Sequence, residues 1–339
     1  MNQRPAEPAL EPALPIIDAH HHRRDRAGDS YLFSDLRADL NAGHNVRATI
    51  AIECGDMYRA YGPPPLRPVG ETEFLAGIAA MFGSGRYGPL LACAGIVGFA
   101  DLLLGAQAEG VLDALESAGG GRLRGIRNPV AWDPAPDLRK TRCGPEGVLR
   151  DPHFREGVAL LGPRDLSLDA WLYHPQLPEL SALAGAFPHT TFVLNHLGGP
   201  LGAGPYAGRR HEVFAHWEAL LRETARHPNI MCKLGGLGLP IFGFHFDDST
   251  SSVGYADAWR PYIETAIELF GVDRCMFVSN FPSDRDSVGY IALWNAFKRI
   301  TAAYSPADRA ALFSGTAMRV YRLEDTLASV SDPLASSAR

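Results

Sequence analysis

Three consecutive histidines, His20, His21 and His22, end a short apolar run that begins near Pro15. Side chains two residues apart on a strand point to the same side. His20 and His22 can therefore converge on one metal ion or one substrate oxygen, while His21 points away. Two more histidines follow apolar runs: His174 after Trp171-Leu172-Tyr173, and His196 after Val193-Leu194-Asn195. Imidazoles gathered from several strand ends suit a borderline metal such as zinc. Charged and amide groups end other runs. Glu53 follows Ile50-Ala51-Ile52 and reads as a base, a substrate contact or a salt-bridge partner. Arg127 follows Gly125-Ile126 and carries the planar fork that grips a carboxylate. Lys233 is one of three lysines in the chain, and it lies inside the apolar run Met231-Cys232-Lys233-Leu234. A cation there needs an ionic partner or an anionic ligand. Asn280 ends the last apolar run and Asp284 lies four residues on, both candidates to face a pocket.

These residues need elements to hold them. Eight apolar runs recur at 15–20, 46–53, 90–99, 123–130, 166–173, 190–196, 229–234 and 275–279. Each is bounded by Gly, Pro, Asn or Asp, as expected for strands buried on both faces. The segments between them are long enough for helices. The spacing of Ile263, Ala266, Ile267 and Phe270 predicts a helix over 261–270, stopped by Gly271. Ser305-Pro306 is a capping serine followed by proline at the first helical position. Alternating β and α units of this size predict an α/β fold, a distorted (β/α)8 TIM-type barrel. An open doubly wound sheet is the second choice, and no GxGxxG follows the first strand to support it. Catalytic groups of a barrel sit at the C-terminal strand ends, where the histidines fall. Two long loops, 55–71 and 235–258, are expected to shape the pocket, and Tyr58 and Arg59 on the first are expected to touch substrate.

Composition narrows the class. The 339 residues are 46% hydrophobic and 21% charged, which excludes a disordered chain. A formal net charge of −6 argues against nucleic acid or an anionic membrane as partner. No apolar run approaches the ~18 residues of a membrane span. Five cysteines without a CxxC pair, most inside apolar runs, read as buried thiols in a reducing cytoplasm. The expected organisation is a flexible arm at 1–14 without a signal peptide, one barrel domain at 15–324, and a loose tail at 325–339. Homo-oligomerisation is left open.

The segments Ile17-Asp18-Ala19-His20-x-His22, Leu194-Asn195-His196-Leu197-Gly198 and Phe277-Val278-Ser279-Asn280-Phe281-Pro282, with Gly315-Thr316-Ala317 and Tyr321, resemble the amidohydrolase superfamily. The resemblance is strongest to the branch that holds sugar lactonases and pyrone-dicarboxylate lactonases. It implies a distorted barrel that hydrolyses an ester, lactone or amide. Carried over by motif, it assigns His20, His22 and His174 to one divalent metal, most often zinc, with metal-free operation known in the branch. It assigns His196 to the developing oxyanion. The superfamily's eighth-strand aspartate falls on Asn280, whose amide takes no proton near neutral pH. Asp284 or Glu53 is then the expected base, and Arg127 and Lys233 the expected grip on a substrate carboxylate. A metal-dependent decarboxylase and a non-catalytic binding protein are the alternatives.

Overall fold

The computed structural model describes residues 7–139 and 143–331. Among them, the eight apolar runs all form strands: β1 (Pro15–His21), β4 (Asn45–Ile52), β5 (Leu91–Gly98), β6 (Leu123–Pro129), β7 (Ser167–Trp171), β8 (Phe192–Leu194), β9 (Ile230–Leu234) and β10 (Cys275–Phe277). They form one sheet in the order β1-β4-β5-β6-β7-β8-β9-β10, with every pairing parallel. The backbone just past β10 closes the ring on β1: Asn280 N donates to His20 O at 2.8 Å and His22 N to Phe281 O at 2.7 Å. The expected (β/α)8 barrel is therefore the observed fold.

Strands buried on both faces divide their side chains between two cores. Ile50, Ile52, Val97, Val193, Met231 and Met276 fill the barrel interior, with Tyr321 and Leu323 packed on them. The alternate residues, among them Ala51, Ile96, Ile126, Leu168, Phe192 and Phe277, pack outward against the helices.

Several expectations are refined. The helix expected over 261–270 starts earlier, as Ser252–Phe270, with Pro261 inside it. Tyr255 and Trp259 lie on the same helical face as Tyr262, Ile263 and Phe270, and all are buried. Proline in a helix interior costs about 3 kcal/mol. Burying a tryptophan and a tyrosine on one face offsets a loss of that size. The second long loop is shortened accordingly, to 235–251. After β1 the chain makes a hairpin that the sequence pattern did not announce, β2 (Arg24–Arg26) paired antiparallel with β3 (Asp29–Tyr31). Within the expected N-terminal arm, residues 7–14 run against the helix Tyr290–Ile300. Leu10 N donates to Asn295 Oδ1 at 2.8 Å, and Lys298 Nζ donates to Leu10 O at 2.7 Å. Glu7 accepts from Ser252 N at 2.6 Å, at the start of its helix. Within the expected tail, Glu324–Ser331 is helical, and the rest lies outside the described residues. Among the described residues no helix is long and apolar enough to cross a membrane.

The expected cap at Ser305 is present, its hydroxyl accepting from Asp308 N at 3.1 Å. Ser305→Ala is expected to cost about 1 kcal/mol of stability with no change in denaturant slope. Urea unfolding of the two proteins measures it; equal midpoints would remove the cap as a stabilising contact.

Candidate active site

The site is built above a buried ion pair. Lys233 on β9 and Asp169 on β7 are both inaccessible to solvent, with Nζ 2.6 Å from Oδ2. The carboxylate also accepts from Tyr321 Oη at 3.0 Å and Ser167 Oγ at 2.9 Å. Burial pulls the Lys233 ammonium below its usual value, and Asp169 opposes that shift. Lys233 thus finds the partner its apolar strand requires, but it lies beneath the pocket rather than in its wall.

Nζ of Lys233 is also 3.3 Å from His20 Nδ1. His20 reaches this position because β1 slips against β4: Asp18 pairs with Thr49 but His21 with Ala51, three residues of β1 for two of β4. Such a bulge re-aims side chains near active sites. Ile17 and Ala19 face the barrel interior, and strict alternation would send His20 out to the helices. The extra residue turns it inward instead. His21 points outward, to Thr49 Oγ1 at 2.7 Å. His22 follows His20 inward, as their spacing predicts. The Nε2 atoms of His20 and His22 are 3.1 Å apart, and His22 Nδ1 lies 2.9 Å from Ile52 O. Burial first, then Lys233 for His20 and Arg127 for His22, pushes both imidazoles well below their usual value, so they stay neutral.

His196 completes the cluster, its ring centroid 4.7 Å from that of His20. It sits in left-handed backbone, at φ 51 and ψ 50, just past β8. Its Nδ1 donates to Gly235 O at 3.1 Å, which leaves the Nε2 lone pair unclaimed. Burial and the nearby Arg127 and Lys233 charges push it down to about 3. Gly236 makes room for this ring: a Cβ there would lie 2.1 Å from His196 Nδ1.

His22, His196, Arg127, Trp171 and Asn280 line a cavity of about 490 Å³ at the C-terminal strand ends. The hairpin β2–β3 adds Arg24 and Arg26 to its wall. Arg127 Nε donates to Glu53 Oε1 at 2.8 Å, and its Nη2 donates to the Glu53 carbonyl, which holds the guanidinium in the cavity wall. Glu53 is thereby the brace of Arg127, fully buried, rather than a base at the mouth. Asp284 does not line the cavity. Asn280 stands before it and donates from Nδ2 to Asp284 Oδ1 at 2.7 Å, while Gly238 N donates to Oδ2 at 2.9 Å. Burial pushes Asp284 up to about 7. With its Nδ2 turned to Asp284, Asn280 offers its Oδ1 as an acceptor.

Three expected positions lie elsewhere. His174 is buried, but its Nδ1 accepts from Leu201 N at 3.4 Å, and its ring packs on Tyr206 and His216. Tyr58 stacks on Phe99 in a separate surface groove, and Arg59 pairs with Glu73 on the surface. The loop 55–71 therefore supplies neither of the two expected contacts, whereas Leu239 of the second long loop does line the cavity. Arg24 and Arg26 were missed, although the run Arg23-Arg24-Asp25-Arg26 directly after the histidines was a readable signal.

The donor set does not fit a resident zinc as expected. His20 and His22 bring two nitrogens to a separation near that of ligands on one ion, roughly 3.4 Å for tetrahedral bonds of about 2.1 Å. His174 is not with them. Among the described residues no group of three or more His, Cys, Asp or Glu is placed to hold a metal. A metal-bound imidazole donates its second N–H to a carboxylate, carbonyl or water, whereas that nitrogen of His20 meets an ammonium.

Comparison with known proteins agrees with this architecture. Residues 17–323 match the Amidohydro_2 family, described as amidohydrolase, and the chain belongs to that family. L-fucono-1,5-lactonase of Burkholderia multivorans is 30% identical over 282 residues, spanning 80% of this chain and 89% of that protein. The uncharacterised protein y4mH of Sinorhizobium fredii is 35% identical over 294 residues, 87% and 86% of the two chains. A solved amidohydrolase from Burkholderia multivorans with bound zinc superposes with a TM-score of 0.68 at 27% identity, over 91% of this chain and 99% of that one.

Two outcomes are expected. Gly236→Ala drives a methyl group into His196 and should lower kcat at least tenfold while far-UV circular dichroism is unchanged; wild-type turnover would show that the ring is not held there. Asp284 binds its proton more tightly folded than unfolded, so its contribution to stability is present below pH ~4 and lost as pH rises to about 7. Wild-type stability relative to Asp284→Asn should therefore fall across that window and level off above it. Thermal melts from pH 4 to 8 measure this, and a difference that grows with pH would contradict it.

Proposed function

We propose that this protein hydrolyses a lactone or a similar small ester that carries a carboxylate. The observation behind this reading is the His196 imidazole, which lines a cavity with Arg127 and Asn280 while its Nδ1 is committed to Gly235 O. The 30% identity to an L-fucono-1,5-lactonase supports the reaction class.

Water held between His196 Nε2 and Asn280 Oδ1 attacks the carbonyl carbon. Its oxygen forms the new C–O bond as His196 takes the proton. The Arg127 guanidinium, held by Glu53, donates to the oxyanion. Collapse breaks the ring C–O bond, and His196 returns the proton to the departing alkoxide. Burial, followed by the adjacent Arg127 and Lys233 charges, gives His196 its low affinity for a proton. A substrate carboxylate beside Arg24 and Arg26 offsets those charges and raises the basicity of His196 when substrate is bound. Asp284 acts through Asn280 as a positioning residue, which replaces the base role expected for it. No step is routed through a metal, because the donor set does not fit one.

His196→Ala is expected to lower kcat by roughly 10² to 10⁴ with the fold intact, the usual worth of a general base. Arg24→Ala should raise KM about tenfold for a carboxylated lactone and leave a neutral one unaffected. A panel of sugar and carboxylated lactones, with product analysis, measures both. Release of CO2 without a ring-opened hydroxy acid would overturn hydrolysis, and wild-type turnover by His196→Ala would overturn the assignment of the base.

A further inference from the structure

Three contacts in the barrel core fit one another in only one way. His22 Nδ1 lies 2.9 Å from the Ile52 carbonyl, which can only accept, so that nitrogen carries the hydrogen. In a neutral ring the His22 Nε2 is then bare, and it accepts from His20 Nε2 at 3.1 Å. His20 therefore carries its hydrogen on Nε2 and presents a bare Nδ1. Facing that nitrogen, at 3.3 Å, is the Lys233 ammonium, which can only donate. Each donor meets an acceptor along the whole chain from Lys233 to Ile52.

We propose that Lys233 is the residue that sets the tautomer of His20 and so keeps the His20/His22 pair as a hydrogen-bonded unit rather than a metal-binding pair. The opposite tautomer would leave two bare Nε2 atoms side by side, with His196 supplying a third lone pair close by. Two bare imidazole nitrogens 3.1 Å apart stand near the spacing of ligands on one zinc ion. Lys233 opposes such binding twice. Its ammonium occupies the nitrogen that must donate if His20 is to bind a metal through Nε2. Its charge also lies against the cluster, and Asp169 holds it there at 2.6 Å. One lysine on β9 therefore decides between two chemistries that the same histidines could support.

The test uses the intact chain. Nitrogen-15 NMR of the wild-type imidazoles should show His20 protonated on Nε2 and His22 on Nδ1. Lys233→Met removes the donor but leaves the buried Asp169 carboxylate without its counter-charge, so the double substitution Lys233→Met with Asp169→Asn accompanies it. The double variant is expected to bind Zn2+ at least tenfold more tightly than wild type by chelator competition. It should also show a visible Co2+ absorption that is lost when His22→Ala is added. A wild-type His20 protonated on Nδ1 would overturn the proposal, as would a double variant that binds Zn2+ no more tightly than wild type. The tautomer is read without any substrate, so its failure is distinguishable from failure of the lactone reading.

Discussion

A lysine and an aspartate from the two strands that flank β8, both wholly without solvent contact, meet inside the barrel, and the site above is arranged around them. Removing two charges from water is costly, and the attraction between Lys233 and Asp169 offsets that only with good geometry and further hydrogen bonds. Here the bonds are supplied. Tyr321, from the segment that packs against the barrel interior, and Ser167, from the same strand as Asp169, both donate to the carboxylate. The pair ties β7 to β9, and through His20 to β1. Losing one partner of such a pair typically costs about 3–5 kcal/mol, so its geometry is strongly enforced. Its ammonium also sets the electrostatics of the imidazoles, which remain neutral while buried beside two cations.

Two local irregularities convert that core into a pocket. The extra residue in β1 turns His20 inward beside Lys233, where regular pleating would have sent it to the helices. Beyond β9, glycine at 236 lets the chain pass close to the His196 ring, which any Cβ would displace. Left-handed backbone at His196 and at Asn280, φ 51 and 55, presents both side chains at the cavity. Strained backbone of this kind persists where surrounding contacts hold it in place. At Asn280 those contacts include the Asp284 carboxylate and the backbone bond to His20 that closes the barrel.

Departures from the expected site share a physical origin. Glu53 ends an apolar run, Lys233 interrupts one and Asp284 lies a few residues beyond one, which marks them as unusual without saying which way they face. Each proved to hold another group: Glu53 braces Arg127, Asp284 aims Asn280, and Lys233 meets His20. A buried charge must be paired, and for Glu53 and Lys233 the partner comes from a distant part of the chain. His174 was placed by counting strand ends, but it lies against Tyr206 and His216 instead. The basic hairpin was overlooked because three-residue strands carry too little alternation to read.

Residue order alone is enough to read the eight strands, the barrel, the shared side of His20 and His22, and the placing of His196 and Arg127 at strand ends. Those features follow from local patterns: apolar runs between Gly and Pro, the two-residue period of a strand, and the position of barrel active sites. The folded chain supplies what residue order does not, namely the partner of each ring nitrogen and of each buried carboxylate. It also decided that the metal set expected from His20, His22 and His174 does not assemble. These are properties of pairs far apart in the chain, such as Lys233 with His20 and Arg127 with Glu53. A hydrogen bond over 2.8–3.3 Å depends on how the strands close around one another, which residue spacing does not record.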